Sequence, residues 1–426
     1  MVTPLLVPWT YEALVHEVFG LHNGRADLCG DPWADAERAI WGGSSTQASA
    51  GGTHVLSESS DAFFRAHVDA TYGDLGEAVS RAARGLREAG GASVSAAGGS
   101  AGGESCADGK SASSRDLPNA EGFGSAAPSL EGGKAHDGLD TNEDAQWAAP
   151  GKSHAVPNMA GRDATPRTAT LDQTHRMLAE DLPAYRRGLA EVERHVALVT
   201  ALRRRVDARG LLALSEAEQA IAAGPAAPGA GVLEAAVRAI SGASLRIARV
   251  RIALLYGLRF GAGALPALYA RAPSLSPGDR DFVAFALGHA LPDVALAAAR
   301  ARLSGLPGLY AYAGRGTVRL PRARDSVYTA HVPPLLDVVD AAVRGRLPPA
   351  SFPAVPSAEP IPERAQEVVV LFVNGSTHAE AAALRGYCAA HPGVSAVLLG
   401  TSVLNSSALL CELASLHRRF GAQSSG

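Results

Sequence analysis

The residues able to do chemistry come first, because they separate an enzyme from a binding protein. His16-Glu17 opens like a zinc-peptidase helix motif, but Val18, Phe19 and Gly20 follow, so the second histidine is missing. Val373-Asn374-Gly375-Ser376-Thr377 follows an apolar run and opens a helical pattern, a place where backbone amides can hold an anion. It has neither of the glycine-rich phosphate-loop spacings, and a tight turn is the stronger reading. The only lysines are Lys110, Lys134 and Lys152, all in one segment, so none elsewhere can serve a phosphate loop or a Schiff base. His378, Cys388, His391 and Cys411 cluster in sequence at spacings that match no common zinc site. No nucleophile elbow or cysteine-protease signature appears. These residues favour a binding protein, with no catalytic residue, cofactor or metal expected. The alternative is a nucleotide- or small-molecule-binding enzyme built on the C-terminal segment.

The composition agrees. The 426 residues are enough for about three domains, 47% are hydrophobic, and the net charge is -3. That balance argues against a protein that works by neutralising nucleic-acid phosphates. Cys29, Cys106, Cys388 and Cys411 are scattered, as in reduced thiols rather than a disulfide framework. The N-terminal MVTPLLVPW has no basic start and no long apolar run, so no signal peptide is expected. No uninterrupted apolar stretch approaches about 20 residues, so no transmembrane helix is expected.

The elements that position these residues are mostly helical. The longest pattern lies within 171–206, where Leu178, Leu182, Tyr185, Leu189, Val192, Val196 and Val199 alternate steps of four and three. That spacing makes one narrow apolar seam on a long helix. Pro183 breaks it, costing a backbone hydrogen bond and crowding the turn before it. Either the helix starts there or a bend is wanted. A second helix of this kind is expected over about 60–88, capped by Ser57 or Ser59, with Val68, Tyr72, Leu75, Val79, Ala82 and Leu86 as its seam. Gly73, Gly76 and Gly85 weaken it, so it needs a partner, and an antiparallel helical hairpin results. Residues 89–170 are dense in small and polar residues and are expected to be a disordered insert at the hairpin tip.

Other elements are shorter. A helix runs from Tyr11 to Val18 with Thr10 as N-cap, and Asn23-Gly24 marks a turn. Residues 31–53 look loop-like. Ser215 and Glu218 have capping-box spacing before a short helix, and 224–231 is a linker. Helices are expected at 232–240, 245–260, 280–291, 294–303 and 335–347, with a linker at 351–362. The last block changes character: strands at 367–373 and 393–400 alternate with helices at 378–390 and 406–416, a parallel βαβα unit. Two parallel strands do not make a stable sheet by themselves, and no earlier run offers another strand of this kind.

In order along the chain, VTPLLVPWTYEALVHEVFGLHNGRADL (2–28), LAEDLPAYRRGLAEVERHV (178–196), LLALSEAEQAIA (211–222), SVYTAHVPPLLDVVDAAVRGRL (326–347) and LFVNGSTHAEAAAL…HPGVSAVLLGTSVLNS (371–406) resemble the SM (Sec/Munc) family of syntaxin-binding vesicle-fusion proteins. The first, third and fourth runs look most like its vacuolar protein sorting-associated 45 branch. The resemblance implies a mixed α and α/β fold, a mostly helical arch domain plus a partial parallel, Rossmann-like C-terminal unit. Residues 1–222 would be the first half of the arch domain with its helical hairpin, 223–355 its second half, and 363–426 the C-terminal half of an α/β domain. The family's N-terminal α/β part, with its pocket for a syntaxin N-terminal peptide, is expected to be missing ahead of VTPLL. The implied role is regulation of vesicle docking and membrane fusion in endosome and trans-Golgi transport. The implied partners are a syntaxin-type SNARE and vesicle SNARE helices, with no nucleic acid. The protein would be cytoplasmic and peripheral on Golgi or endosomal membranes. The implied SNARE-binding residues are Pro183, Tyr185, Leu189, Val192 and Val196. Packing against Val68 to Leu86 is the alternative for the last four.

Overall fold

The computed structural model describes residues 2–42, 52–98, 182–224, 227–290, 327–347, 352–353, 364–373 and 375–420. The described chain is mostly helical, with a few short strands. Helix α1 (Tyr11–Phe19) is stopped by Gly20, whose φ of +71° suits a residue without a side chain. Asn23 and Gly24, both at positive φ, form the two-residue turn between β1 (Leu21–His22) and β2 (Arg25–Asp27). Positive φ at both turn positions matches the right-handed twist of a hairpin. The stretch 31–53 is not simply a loop. Asp31 caps α2 (Pro32–Trp41) by accepting from Ala34 N, and β3 (Thr53–Val55) adds to β2 to give a small antiparallel sheet.

The helix expected over 60–88 is two helices. Asp61, not Ser57 or Ser59, caps α3 (Ala62–His67), and the chain breaks at Val68–Thr71 before α4 (Tyr72–Gly98). The break has a cause: Tyr11 N and Glu12 N bond to Ala70 O and Val68 O, and Thr71 pairs with Thr10. Those carbonyls hold the start of α1 instead of extending α3. Helix α4 runs to Gly98, so 89–98 are helical rather than part of a disordered insert, and 99–170 lie outside the described residues. Alanine and the existing helix end favour such propagation. Helix α5 spans Leu182–Arg209 with Pro183 in its first described turn. Residues before Leu182 lie outside the described region, so the bend expected at Pro183 does too.

The remaining helices are α6 (Leu211–Ala223), α7 (Ala230–Gly242), α8 (Arg246–Phe260), α9 (Leu265–Arg271), α10 (Pro277–Phe285) and α11 (Leu335–Val343). Helix α9 has no counterpart in the sequence reading, and α11 stops short of residue 347. Helix α10 starts earlier than expected, because Ser276 and Asp279 form a capping box, and it ends in a π-turn over 286–290. The helix expected at 294–303 lies outside the described residues. Ser215 and Glu218 do not cap anything: they sit inside α6 and are fully buried. The C-terminal block is β4 (Glu367–Phe372), α12 (His378–Ala390), β5 (Ser395–Gly400) and α13 (Ser406–Phe420), with β4 and β5 parallel and in register from Glu367↔Ser395 to Phe372↔Gly400. One face of this pair packs Val370, Phe372, Ala396 and Leu398 against Leu335, Leu336, Val339, Leu384 and Tyr387. The other face is open.

The described chain divides into two compact units, one of residues 1–72 and 198–426, the other of residues 73–197.

Candidate functional site

In the smaller unit, α4 and α5 touch: a Cβ placed on Gly188 would meet Leu86 Cδ2 at 3.5 Å. Leu86 and Gly188 therefore lie at one level of an antiparallel pair. Leu75, Ala78 and Val79 are buried on α4, Val192 and His195 on α5. Tyr185, Leu189, Val192 and Val196 share one stripe of α5 at steps of four and three. Val192 is 4% exposed, whereas Pro183, Tyr185, Leu189 and Val196 are half-buried. The stripe one residue further on, Arg186, Ala190, Glu193 and Ala197, about 100° round the helix, is exposed. The seam read from the sequence thus exists, with Val192 enclosed and its neighbours still partly reachable.

In the larger unit, a buried polar cluster joins segments far apart in sequence. The Arg251 guanidinium on α8 reaches Glu17 Oε1 at 3.2 Å, Ser406 Oγ at 2.9 Å and the Glu218 carboxylate. Glu17 also accepts from Trp33 Nε1 at 2.8 Å and Ser406 N at 3.1 Å. Glu218 accepts from Val7 N at 2.7 Å, and Ser215 Oγ from Trp9 Nε1 at 2.7 Å. Arg251 lies 4.2 Å and Arg209 5.0 Å from the centre of the Trp33 ring, a cation–π contact strengthened by desolvation. Burial pushes the Glu218 carboxyl up, to about 7, against the opposing pull of Arg251. The cluster's side chains bond to one another and to the backbone of neighbouring segments. Its work is to lock α1, α2, α6, α8 and α13 together. Lone charges inside apolar runs, as in VHEVF and ARVRIALL, were the available sequence signal for it.

Of the Val373–Thr377 segment, Asn374 lies outside the described residues, and residues 375–377 turn tightly into α12. Ser376 N bonds to Ser402 O and Leu404 N to Ser376 O, at 2.9 and 2.8 Å. Gly375 sits at φ +97°. Thr377 and Glu380 form a capping box at the start of α12, the carboxylate accepting from Thr377 N and Oγ1 at 3.0 Å each. A carboxylate already stands where an incoming phosphate would bind, and it repels one. The four residues His378, Cys388, His391 and Cys411 are not gathered into a site. His378 pairs with Glu12, His391 stacks on Tyr387 at 4.2 Å, and both cysteines are half-buried free thiols.

With this geometry in hand, the likeness to known proteins is decisive. A protein-family model described as the Sec1 family matches residues 1–120 and 151–412. The chain belongs to the Sec1 family. Among Sec1-family relatives, the vacuolar protein sorting-associated protein 45 homolog of Arabidopsis thaliana is 26% identical over 98% of this chain and 58% of its own length. The Homo sapiens protein of that description is 24% identical over 98% of this chain and again 58% of its own length. The chain therefore spans less than two thirds of the length of these relatives. Among solved structures, the SM protein Vps45 in complex with the Qa SNARE Tlg2 aligns with a TM-score of 0.61 and 23% identity, over 99% of this chain and 59% of that one. The Unc18–syntaxin 1 complex from Monosiga brevicollis aligns at 0.54 and 15%, over 98% and 59%. Nearly all of this chain therefore aligns with these proteins, and its fold is similar to theirs.

Proposed function

We propose that this chain is a SNARE-binding regulator of vesicle docking and membrane fusion, acting in endosome and trans-Golgi transport. The observation that carries the proposal is the Sec1-family match over residues 1–120 and 151–412, supported by a fold shared, over 99% of this chain and 59% of the other, with an SM protein solved together with a Qa SNARE. The partners are a syntaxin-type SNARE and vesicle SNARE helices. No single described helix is long and apolar enough to cross a membrane. The proposed location is the cytoplasmic side of Golgi or endosomal membranes, with peripheral attachment through SNAREs. Residues 1–222 and 223–355 are the two halves of a helical arch domain, and 363–426 the returning half of a Rossmann-like α/β domain. The α5 seam, Pro183, Tyr185, Leu189, Val192 and Val196, is the helix-binding surface. The enzyme alternative draws no support from these relatives, and Glu380 caps the turn that it would use.

The test is a pull-down of purified full chain with the soluble parts of a syntaxin-type SNARE and a vesicle SNARE, with circular dichroism on every sample. Binding above background is expected. Changing Tyr185 and Leu189 together to Ala should weaken vesicle-SNARE binding about tenfold, roughly 1.4 kcal/mol, with helicity unchanged. A folded chain that captures neither SNARE overturns the proposal.

A further inference from the structure

The contact between α1 and α12 is built around imidazoles. His16, on α1, is 4% exposed. Its Nδ1 accepts the Leu21 N–H at 3.0 Å, which leaves the ring proton on Nε2. Its ring centre lies 4.9 Å from that of His378 on α12 and 6.2 Å from that of His22. His378 Nδ1 stands 3.3 Å from Glu12 Oε2, and Arg385 on α12 reaches Glu12 at 3.2 Å and Asp69 at 2.7 Å. The Asn405 side chain, just ahead of α13, donates to the His16 carbonyl at 3.1 Å. His16 thus lies under the C-terminal βαβα unit at the place where that unit meets α1.

We infer that His16 is a proton-operated catch: it holds the βαβα unit against α1 while neutral and releases it when protonated. The argument is geometric. A proton added to Nδ1 turns the acceptor of the Leu21 N–H into a donor facing a donor. The new charge also lies in a buried position between two other imidazoles. The charged and titratable groups facing it are Glu12 on its own helix, His22 on β1, and His378 and Arg385 on α12, with Asp69 behind Arg385. Glu12 is already engaged by His378 and Arg385, which against burial hold its carboxyl below the usual range. Little of that negative charge is left to stabilise a protonated His16. Burial, and then His378 and His22, push the His16 ring down from 6.5 to about 4. A folded-state value below the unfolded one gives stability that is complete above about 6.5 and is lost as the pH falls toward and through 4. The loss falls on the joint that His16 occupies.

Hydrogen exchange with mass readout on the full chain between pH 7 and 4.5, corrected for intrinsic rates, tests the catch. Amides of α12 and of 401–405 should lose at least tenfold in protection before those of α8 do. His16→Gln, which keeps an acceptor for Leu21 N–H but does not titrate, should abolish that early loss. If that variant does not fold, a nitrogen-15 titration of His16 in the unaltered protein is set beside the exchange data: an early loss of α12 protection that follows protonation of His16 supports the catch, and one that does not follow it overturns it. Protection that falls uniformly across α8 and α12, or an early loss unmoved by His16→Gln, also overturns it.

Discussion

Arg251 shows what single residues contribute here. It is 1% exposed and is shared by two carboxylates, Glu17 and Glu218, from different helices. Removing one member of a buried ionic group leaves uncompensated charge and costs about 3–5 kcal/mol. Arg251→Met should therefore lower stability by about that amount, and the double variant Arg251→Met with Glu218→Gln should recover part of it. Urea denaturation of the two singles and the double checks this, and simple additivity would mean that the two side chains are not coupled. The sequence hid this cluster behind a good alternative. Ser215 and Glu218 have the same spacing as Thr377 and Glu380, yet only the second pair forms a capping box. What separates them is what comes before. Leu211 and Leu214 already continue an apolar helical face into Ser215, whereas a glycine turn precedes Thr377. Spacing alone cannot distinguish a cap from a buried polar turn. The apolar stripe of α5 was legible for the opposite reason, because residues at steps of four and three share a face in any helical context.

At the scale of elements, the glycines of α4 and of the β4–α12 turn make opposite predictions. Gly85 lies inside a helix, and a Cβ there would meet nothing within 4 Å. Gly85→Ala should stabilise the chain by about 0.5–1 kcal/mol, by restricting the unfolded state and raising helix propensity. Gly375 sits at φ +97°, and a Cβ there would fall 2.9 Å from Ser402 O and Leu404 Cγ. Gly375→Ala should destabilise by roughly 2 kcal/mol or more. Thermal melts of both variants read the two signs, and equal effects would mean the turn does not need its close approach. The long helices were legible from periodicity. The break between α3 and α4 was not, because it is set by hydrogen bonds from Tyr11 and Glu12, about sixty residues earlier. Helix α2 was missed because its polar face, Asp35, Glu37 and Arg38, reads like loop composition until Asp31 and Pro32 are taken as cap and first turn.

At the scale of the whole molecule, the open face of the β4–β5 pair has the largest consequence. Val369, Leu371 and Val373 are 66%, 61% and 73% exposed, and Val397, Leu399 and Val403 continue the patch at 49%, 46% and 53%. Parallel sheets are normally covered on both faces, so six large apolar residues in the open are a surface that seeks a cover. The sequence already carried this anomaly: two runs suited to buried parallel strands, and no third. It could not show that only one face would be covered, since the inner face depends on Leu335, Leu336 and Val339 arriving from α11. Under the proposed assignment of 363–426 to one half of an α/β domain, an uncovered strand face is the expected consequence. The patch makes a direct prediction for the chain by itself. It should self-associate in a concentration-dependent way, and Val369→Thr with Leu371→Lys should reduce that association. Both side chains point away from the α11–α12 core, so the pair should cost little stability, within about 0.5 kcal/mol each. Sedimentation velocity over a range of concentrations measures the first effect and urea melts the second. Association that persists unchanged in the double variant would place its cause elsewhere on the molecule. A large stability loss would show that this face is packed in solution.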